Sequence, residues 1–343
     1  MSKPVTMKAI AAQAAVTQAT VSMSLAGNPR IPQSTRDRIQ GIAQKLGYRP
    51  NAYISALMRI RRQGRAQSDR PVLALVNNLG RADGWRTHSS QTILQMREGA
   101  IERAAQRGYR GQEFWLHQDG MSTERFSEML HARAIQGLLL SPLPDGVSLP
   151  KLNWDYFAAV ALSVPQPSFT ITTVCNDHYF SALQAIRECH QRGYRRPGLL
   201  MHRVHRERFH GRWDAGYFVA RHMLPGITLA SPLLFSGDRP KPDVLKKWLK
   251  SQQPDVILSS MADVVQGMLR DMGGWRVPGD IGLAWLSCPS PGHAISGIYQ
   301  NGRLIGATAV DALISMIERN DRGLPGQATS IMVEGQWNPG QTL

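Results

Sequence analysis

The sequence predicts a two-part fold: a small all-α headpiece at the N-terminus, then a much larger α/β domain with parallel sheets. Three observations carry that expectation. Residues 6–47 break into three short helical patterns joined by tight turns, and from residue 71 onward apolar strand-like runs alternate with amphipathic helices. The third observation is charge: of a net +15 over 343 residues, residues 1–65 hold eleven Lys/Arg and one acid, Asp37. Such asymmetry points to nucleic acid. A membrane-binding arm would need a broad apolar face with aromatic anchors, which this stretch lacks. There is no apolar run long enough to span a bilayer and no signal-peptide core, so a cytoplasmic protein is expected. Cys175, Cys189 and Cys288 are scattered and lack metal-ligand spacing, which predicts reduced, buried thiols and no metal site.

In chain order, Thr6 is a good N-cap for a helix over residues 7–14, and a tight turn at Ala15-Val16 leads to Thr17, which caps a second helix over 18–26. Gly27-Asn28-Pro29 stops it. Pro32 suits the first position of a third helix, in which Ile39, Ile42, Ala43 and Leu46 recur at helical spacing before Gly47. With Ile10, Ala11, Val16, Val21 and Leu25 these residues form one small core. Gln18, Ala19, Ser22 and Met23 are left on the outer face of the second helix. That is the geometry of a helix-turn-helix, whose short second helix enters the major groove. Gln18 can pair bidentately with adenine, while Ala19 and Met23 can touch apolar edges such as a thymine methyl. Thr6, Thr17, Ser22 and Asn28 suit phosphate contacts, although Thr6 and Thr17 serve equally as plain caps. The alternative for Gln18, Ala19 and Met23 is a solvated or packed surface.

Residues 51–70 follow as a basic linker. Ile54, Leu57 and Met58 line one side of a short helical pattern while Arg59, Arg61 and Arg62 charge it. Alone, such a helix is marginal because it bears the nucleation cost without a core. A frayed linker is the competing reading. From Pro71, strands are expected at 72–76, 114–116, 138–140, 157–162, 199–201, 256–258 and 281–286, with helices at 91–107, 122–133, 178–192, 212–222, 243–251, 262–272 and 304–318. This alternation means parallel sheets with helices on both faces. Gln106-Arg107-Gly108-Tyr109-Arg110 recurs as Gln191-Arg192-Gly193-Tyr194-Arg195, each where a helix stops and a strand starts, which supports duplication of one unit.

The run VTMKAIAAQAAVTQATVSMSLAGNPRIPQSTRDRIQGIAQKLGYRPNA, Val5 to Ala52, resembles the lactose-repressor/galactose-repressor (LacI/GalR) family of transcription regulators, without a gap. The resemblance implies a DNA-binding headpiece over 1–50, a hinge helix over 51–70, and an effector-binding and dimerisation domain over 71–343. It further implies a homodimer on a double-stranded, pseudo-palindromic DNA operator, acting as a repressor. Asn51, Ile54, Leu57 and Met58 then belong to a minor-groove hinge, with Leu57 aligned to the family's intercalating wedge. Two departures matter. The family's usual turn glycine is Ala15, acceptable if the turn avoids a positive φ. The arginine common near the middle of the recognition helix is Met23, which removes a guanine reader.

The rest of the chain resembles, less closely, the family's two-lobed periplasmic-binding-protein-like domain, through Pro254-Asp255-Val256-Ile257, Arg276-Val277-Pro278-Gly279-Asp280-Ile281, Ile298-Tyr299-Gln300 and Gly306. It implies crossovers near 170–175 and 298–303 and a small-molecule effector in the cleft, a sugar or sugar derivative. Open sheets also bind ligands outside the carboxyl ends of their strands on physical grounds. The family's clamp is not intact here: its arginine is replaced by Trp213 with Arg212 beside it, its later aspartate by Ser287, and a third carboxylate position by Ala262. Asp177 survives, either as a ligand contact or as a helix N-terminal acid. The stretch 201–213, with His202, Arg203, His205, Arg206, Arg208, His210 and Arg212, reads as a loop that either holds an anionic effector or is solvated. Trp85, Trp115, Trp213 and Trp285 suit a sugar face or the core. The effector candidates are therefore Trp85, Asp177, Arg212, Trp213 and Ser287.

No glycine-rich phosphate loop, zinc-protease helix or nucleophile elbow occurs, so neither an enzyme nor a cofactor is expected. The other class left open is a DNA-binding protein whose C-terminal domain only dimerises.

Overall fold

The computed structural model describes residues 7–25, 28, 30–46, 70–143, 149–166 and 170–343. Three helices, α1 (Met7–Ala14), α2 (Gln18–Leu25) and α3 (Gln33–Lys45), make the headpiece. Ile10, Ala14, Val21 and Ile39 are fully buried, with Ala11 and Ala43 beside them and Met7, Val16, Leu25, Ile42 and Leu46 around the edge. This is the small core expected from the spacing. Thr17 caps α2, its hydroxyl accepting from the Thr20 amide at 3.1 Å. The turn before it departs from expectation: Ala15 sits at φ 51°, in the left-handed region where a Cβ crowds the following carbonyl. The chain accepts that strain because the Val16 amide closes onto the Ala11 carbonyl at 3.0 Å, which sets α2 across α1.

The body consists, among the described residues, of two six-stranded sheets. The first lobe holds β1 (Val72–Asn77), α4 (Gln91–Gln106), β2 (Arg110–Trp115), α5 (Thr123–Ala132), β3 (Gly137–Leu140), β4 (Ala158–Ala161) and β5 (Thr172–Asn176). The second holds α6 (His178–Gln191), β6 (Pro197–His202), α7 (Arg203–Arg208), α8 (Arg212–Met223), β7 (Leu233–Phe235), α9 (Pro242–Gln252), β8 (Val256–Ser259), α10 (Ala262–Met272), β9 (Gly282–Cys288) and β10 (Gly297–Tyr299). The chain then returns through α11 (Gly302–Arg319) and β11 (Ser330–Val333) to the first lobe, and ends in β12 (Gln336–Asn338) of the second.

Strand order is β11-β5-β4-β3-β1-β2 in one sheet and β12-β10-β9-β8-β6-β7 in the other. Each lobe thus repeats the same winding, and the repeated Gln-Arg-Gly-Tyr-Arg segments end matching helices, with Gly108 at φ 78° and Gly193 at φ 96°. All pairings are parallel except β10 with β12. The central strands are apolar throughout because helices cover both faces, as in β3 and β4, where every residue is buried.

The first crossover, expected near 170–175, follows directly after β5, between Asn176 and His178. A third crossover, Val333 to Gln336, was not foreseen, because the strands flanking it are only four and three residues long. The other change of lobe, from Tyr299 into α11, lies at the expected place. Cys175, Cys189 and Cys288 are free and buried, and burial pushes the Cys175 thiol up to about 11. Among the described residues no helix is long and apolar enough to cross a membrane.

Candidate DNA-binding headpiece and interlobe cleft

The headpiece core turns one face of α2 inward, since Val21 and Ser24 are buried. Gln18, Ala19 and Ser22 are left exposed and Met23 half-buried, so the residues expected to read DNA share an open face. Thr17 is exposed but already holds its helix. Asn28 forms a local turn, its Oδ1 accepting from the Arg30 amide at 3.0 Å. Ser22 has no such commitment. Thr6, Asn51, Ile54, Leu57 and Met58 lie outside the described residues.

In the body, the carboxyl ends of the two parallel sheets face one another across the crossovers. At the first-lobe floor, the Asn78 amide donates to Ser141 Oγ at 3.0 Å, and His117 Nε2 lies 3.4 Å from the Asn78 carbonyl. Residues following β1, β2 and β3 therefore meet at Asn78. The lobes touch at the rim, where His210 Nε2 lies 3.1 Å from Gln166 Oε1, and at the back, where Gln95 Nε2 donates to the Pro289 carbonyl at 2.8 Å. Asn176 ties two crossovers together: its Nδ2 donates to the Val333 carbonyl at 3.0 Å and its Oδ1 accepts from Ser181 at 2.8 Å.

On the second lobe an aromatic cluster lies beyond the strand ends. His178 stacks on Phe209 with centroids 4.1 Å apart, Phe209 meets Trp213 edge-on at 4.8 Å, and His205 Nδ1 lies 2.8 Å from Ser260 Oγ. Burial, with the nearby Arg212 charge, pushes His178 down to about 3, so its imidazole is neutral. His88, from the first lobe, is also lowered by burial and by Arg208 opposite it.

Of the five effector candidates, the structure brings Arg212 and Trp213 together in the first turn of α8 and sets them near His178. Asp177 lies at the crossover, where Oδ1 accepts from the Phe180 amide at 2.9 Å, the capping role that its position allowed. Ser287 is half-buried on β9. Trp85 is misplaced by sequence reasoning as a cleft contact: it is fully buried in the first-lobe core, its indole donating to the Ile93 carbonyl at 3.2 Å. A large aromatic that can satisfy its one donor on a nearby carbonyl is worth more as packing.

Residues 6–51 match the family model described as bacterial regulatory proteins, lacI family. The headpiece is thus similar to the DNA-binding domain of the LacI family. Among curated proteins it is similar to the HTH-type transcriptional repressor CytR of Escherichia coli (strain K12), 24% identical over 197 residues, 57% of this chain and 53% of CytR. The chain thus matches about half the length of that relative. Among solved structures it resembles a transcriptional regulator CelR–cellobiose complex (19% identical, TM-score 0.59, covering 98% of this chain and 99% of that one). It also resembles the Lac repressor dimer bound to operator and the anti-inducer ONPF (19%, TM-score 0.54, 99% of each chain). These likenesses show the fold of the whole chain as that of LacI-family regulators.

Against that LacI-type frame, two parts of the cleft were missed from sequence. Residues 203–208 are a helix, not loop, opened by His202, whose Nδ1 accepts from the Val204 amide at 3.1 Å. Val204 is the only apolar residue in the helix, so no periodicity betrayed it. Asn78 was missed because an asparagine after a strand has no sequence signal separating a site from a turn.

Proposed function

We propose that the chain is a sequence-specific DNA-binding transcription regulator, a repressor acting in the cytoplasm as a homodimer on a pseudo-palindromic operator. A small molecule in the interlobe cleft controls it. The observation that carries this reading is the headpiece: an independent core leaves Gln18, Ala19, Ser22 and Met23 on one open face of α2. Gln18 and the apolar pair Ala19 and Met23 read base edges, whereas Thr17, Ser22 and Asn28 set the register on phosphates. The hinge, with Leu57 as wedge, widens the central minor groove. Two lobes joined by three strand crossovers supply the bistable element, because closing them shifts the first lobe, to which residue 70 attaches the linker.

Selection from a randomised duplex pool at moderate salt tests this, with the full chain beside a version lacking residues 1–70. A two-fold-symmetric motif enriched by the full chain alone is the expected outcome. Gln18→Ala should relax that motif at one position in each half-site. Enrichment of no motif, with or without candidate effectors, defeats the reading.

A further inference from the structure

Because every pairing in the first-lobe sheet is parallel, all six of its strands start at one end of the lobe, and their other ends face the cleft. The helices that lead into β2, β3 and β11, namely α4, α5 and α11, therefore end where those strands start. The linker enters at the same end. Arg70 Nη1 donates to the Ala105 carbonyl at 3.4 Å, and the Arg110 amide donates to the Pro71 carbonyl at 2.9 Å. The headpiece lies against it too: Arg36 on α3 is only 7% exposed, and its charge, added to burial, holds His131 and Arg322 below their ordinary values. Both of those residues meet Tyr156, just before β4, His131 by stacking at 4.0 Å and Arg322 by donating to its carbonyl at 3.3 Å.

Three helix C-termini direct their partial negative charge, about half a unit each, out of this end and would by themselves repel a polyanion. The side chains reverse that field. Arg70, Arg107, Arg110, Arg133, Arg319 and Arg322 stand here against Asp155, Glu318 and Asp321, six cations to three acids among the described residues. One cation at each helix end would offset the dipoles, so the surplus is left for something outside the lobe. Asp321 is already paired with Arg319 at 2.7 Å, and Asp311, further up α11, with Arg107 at 2.7 Å. Arg133 is exposed, its guanidinium 5.9 Å above the Phe114 ring, and neither it nor Arg110 has an ion-pair partner among the described residues.

All six cations are arginines, whose planar fork bonds two phosphate oxygens at once. A duplex held by the headpiece is tethered to this end of the lobe by the chain before residue 70, so its phosphates stand there at high effective concentration. We propose that the strand-start end of the first lobe is a second DNA-contacting surface, in which Arg133 and Arg319, with Arg110 behind them, hold backbone phosphates of the duplex that the headpiece reads. Such contacts fix the body over the DNA and carry no sequence information. The inference rests on the reading of the chain as a DNA-binding regulator.

Fluorescence anisotropy of the full-length chain on a labelled duplex, repeated over a range of salt, gives the slope of log affinity against log salt. Each variant is first shown by a thermal melt to be folded. Arg133→Gln should flatten the slope by about 1 for each bound subunit and weaken binding at low salt, because each lost phosphate contact releases one counterion fewer. Arg319→Gln should act in the same direction. Arg133→Lys keeps the charge and should keep most of the slope, which separates charge from packing on Phe114. Lys246→Gln combined with Lys247→Gln removes exposed charge from α9 of the second lobe and should leave the slope where it was. The motif selected by Arg133→Gln should match that of the native chain. A slope unchanged by Arg133→Gln and Arg319→Gln, or flattened as much by the α9 pair or by Arg133→Lys, overturns the surface. An unchanged slope in a chain that still selects a motif sinks this inference alone, whereas a native chain that selects no motif sinks the regulator reading on which it rests.

Discussion

Ala15 is the residue at which this headpiece departs most clearly from an unstrained one. A left-handed φ costs an L-residue roughly 1–2 kcal/mol, and glycine avoids that at an entropic cost of roughly 0.5–1 kcal/mol. The difference predicts that Ala15→Gly stabilises the headpiece by roughly 0.5–1 kcal/mol. In the full chain, hydrogen exchange of the buried α1 and α2 amides should slow by about two- to five-fold, provided exchange reports unfolding of the headpiece. Unchanged or faster exchange would mean that the Val16 to Ala11 bond and its surroundings, not the backbone angle, limit the turn. Met23 is a different kind of departure. It is half-buried rather than exposed, so it contributes to packing as well as to the open face, and it is a less independent reader than Gln18.

Among the elements, α4 and α11 carry the first lobe. A Cβ added at Gly306 would overlap the Met96 carbonyl, one at Gly99 the Arg303 carbonyl, and one at Gly302 the Thr92 carbonyl. Three glycines therefore let the two helix backbones touch. Arg303 pairs with Glu98 at 2.7 Å and with Glu102, but these groups are about half exposed, and such pairs contribute little. The glycine seam decides. Gly306→Ala gains roughly 1 kcal/mol of helix propensity yet must push a backbone carbonyl aside, so a net loss of about 1–3 kcal/mol is expected. A urea melt of the full chain checks this; an unchanged midpoint would show that the helices separate without cost.

At the scale of the molecule, the buried His178 beside the first crossover makes stability depend on pH. Native His178 stays neutral down to about pH 3, whereas in the unfolded chain it takes up a proton below its ordinary value of 6.5. The unfolded state therefore binds more protons in that window. Stability from this group is fully present above pH 6.5 and declines as pH falls toward 3, by at most about 1.4 kcal/mol per unit. Denaturation at pH 7.5 and 5.0 should show a loss in the native sequence that His178→Gln lacks. Equal losses would assign the effect to other groups, such as His88 and His131, which burial also lowers.

The sequence by itself determined the headpiece, because three short helices with one core are encoded by local spacing and caps, and it determined the alternating order of the body. The helix over residues 262–272 was placed to the residue, since its apolar period is strong. What only the tertiary structure decided is where non-local partners meet. Short strands such as β7, β10 and β12 take their extended form from neighbours in the sheet, not from their own three residues. Trp85 and Trp213 are alike in sequence, yet one finds a carbonyl inside its lobe and the other keeps an unpaired donor beside the cleft. Asn78, His178 and Arg212 are 34 to 134 positions apart, and folding alone brings the strand ends that carry them to one cleft.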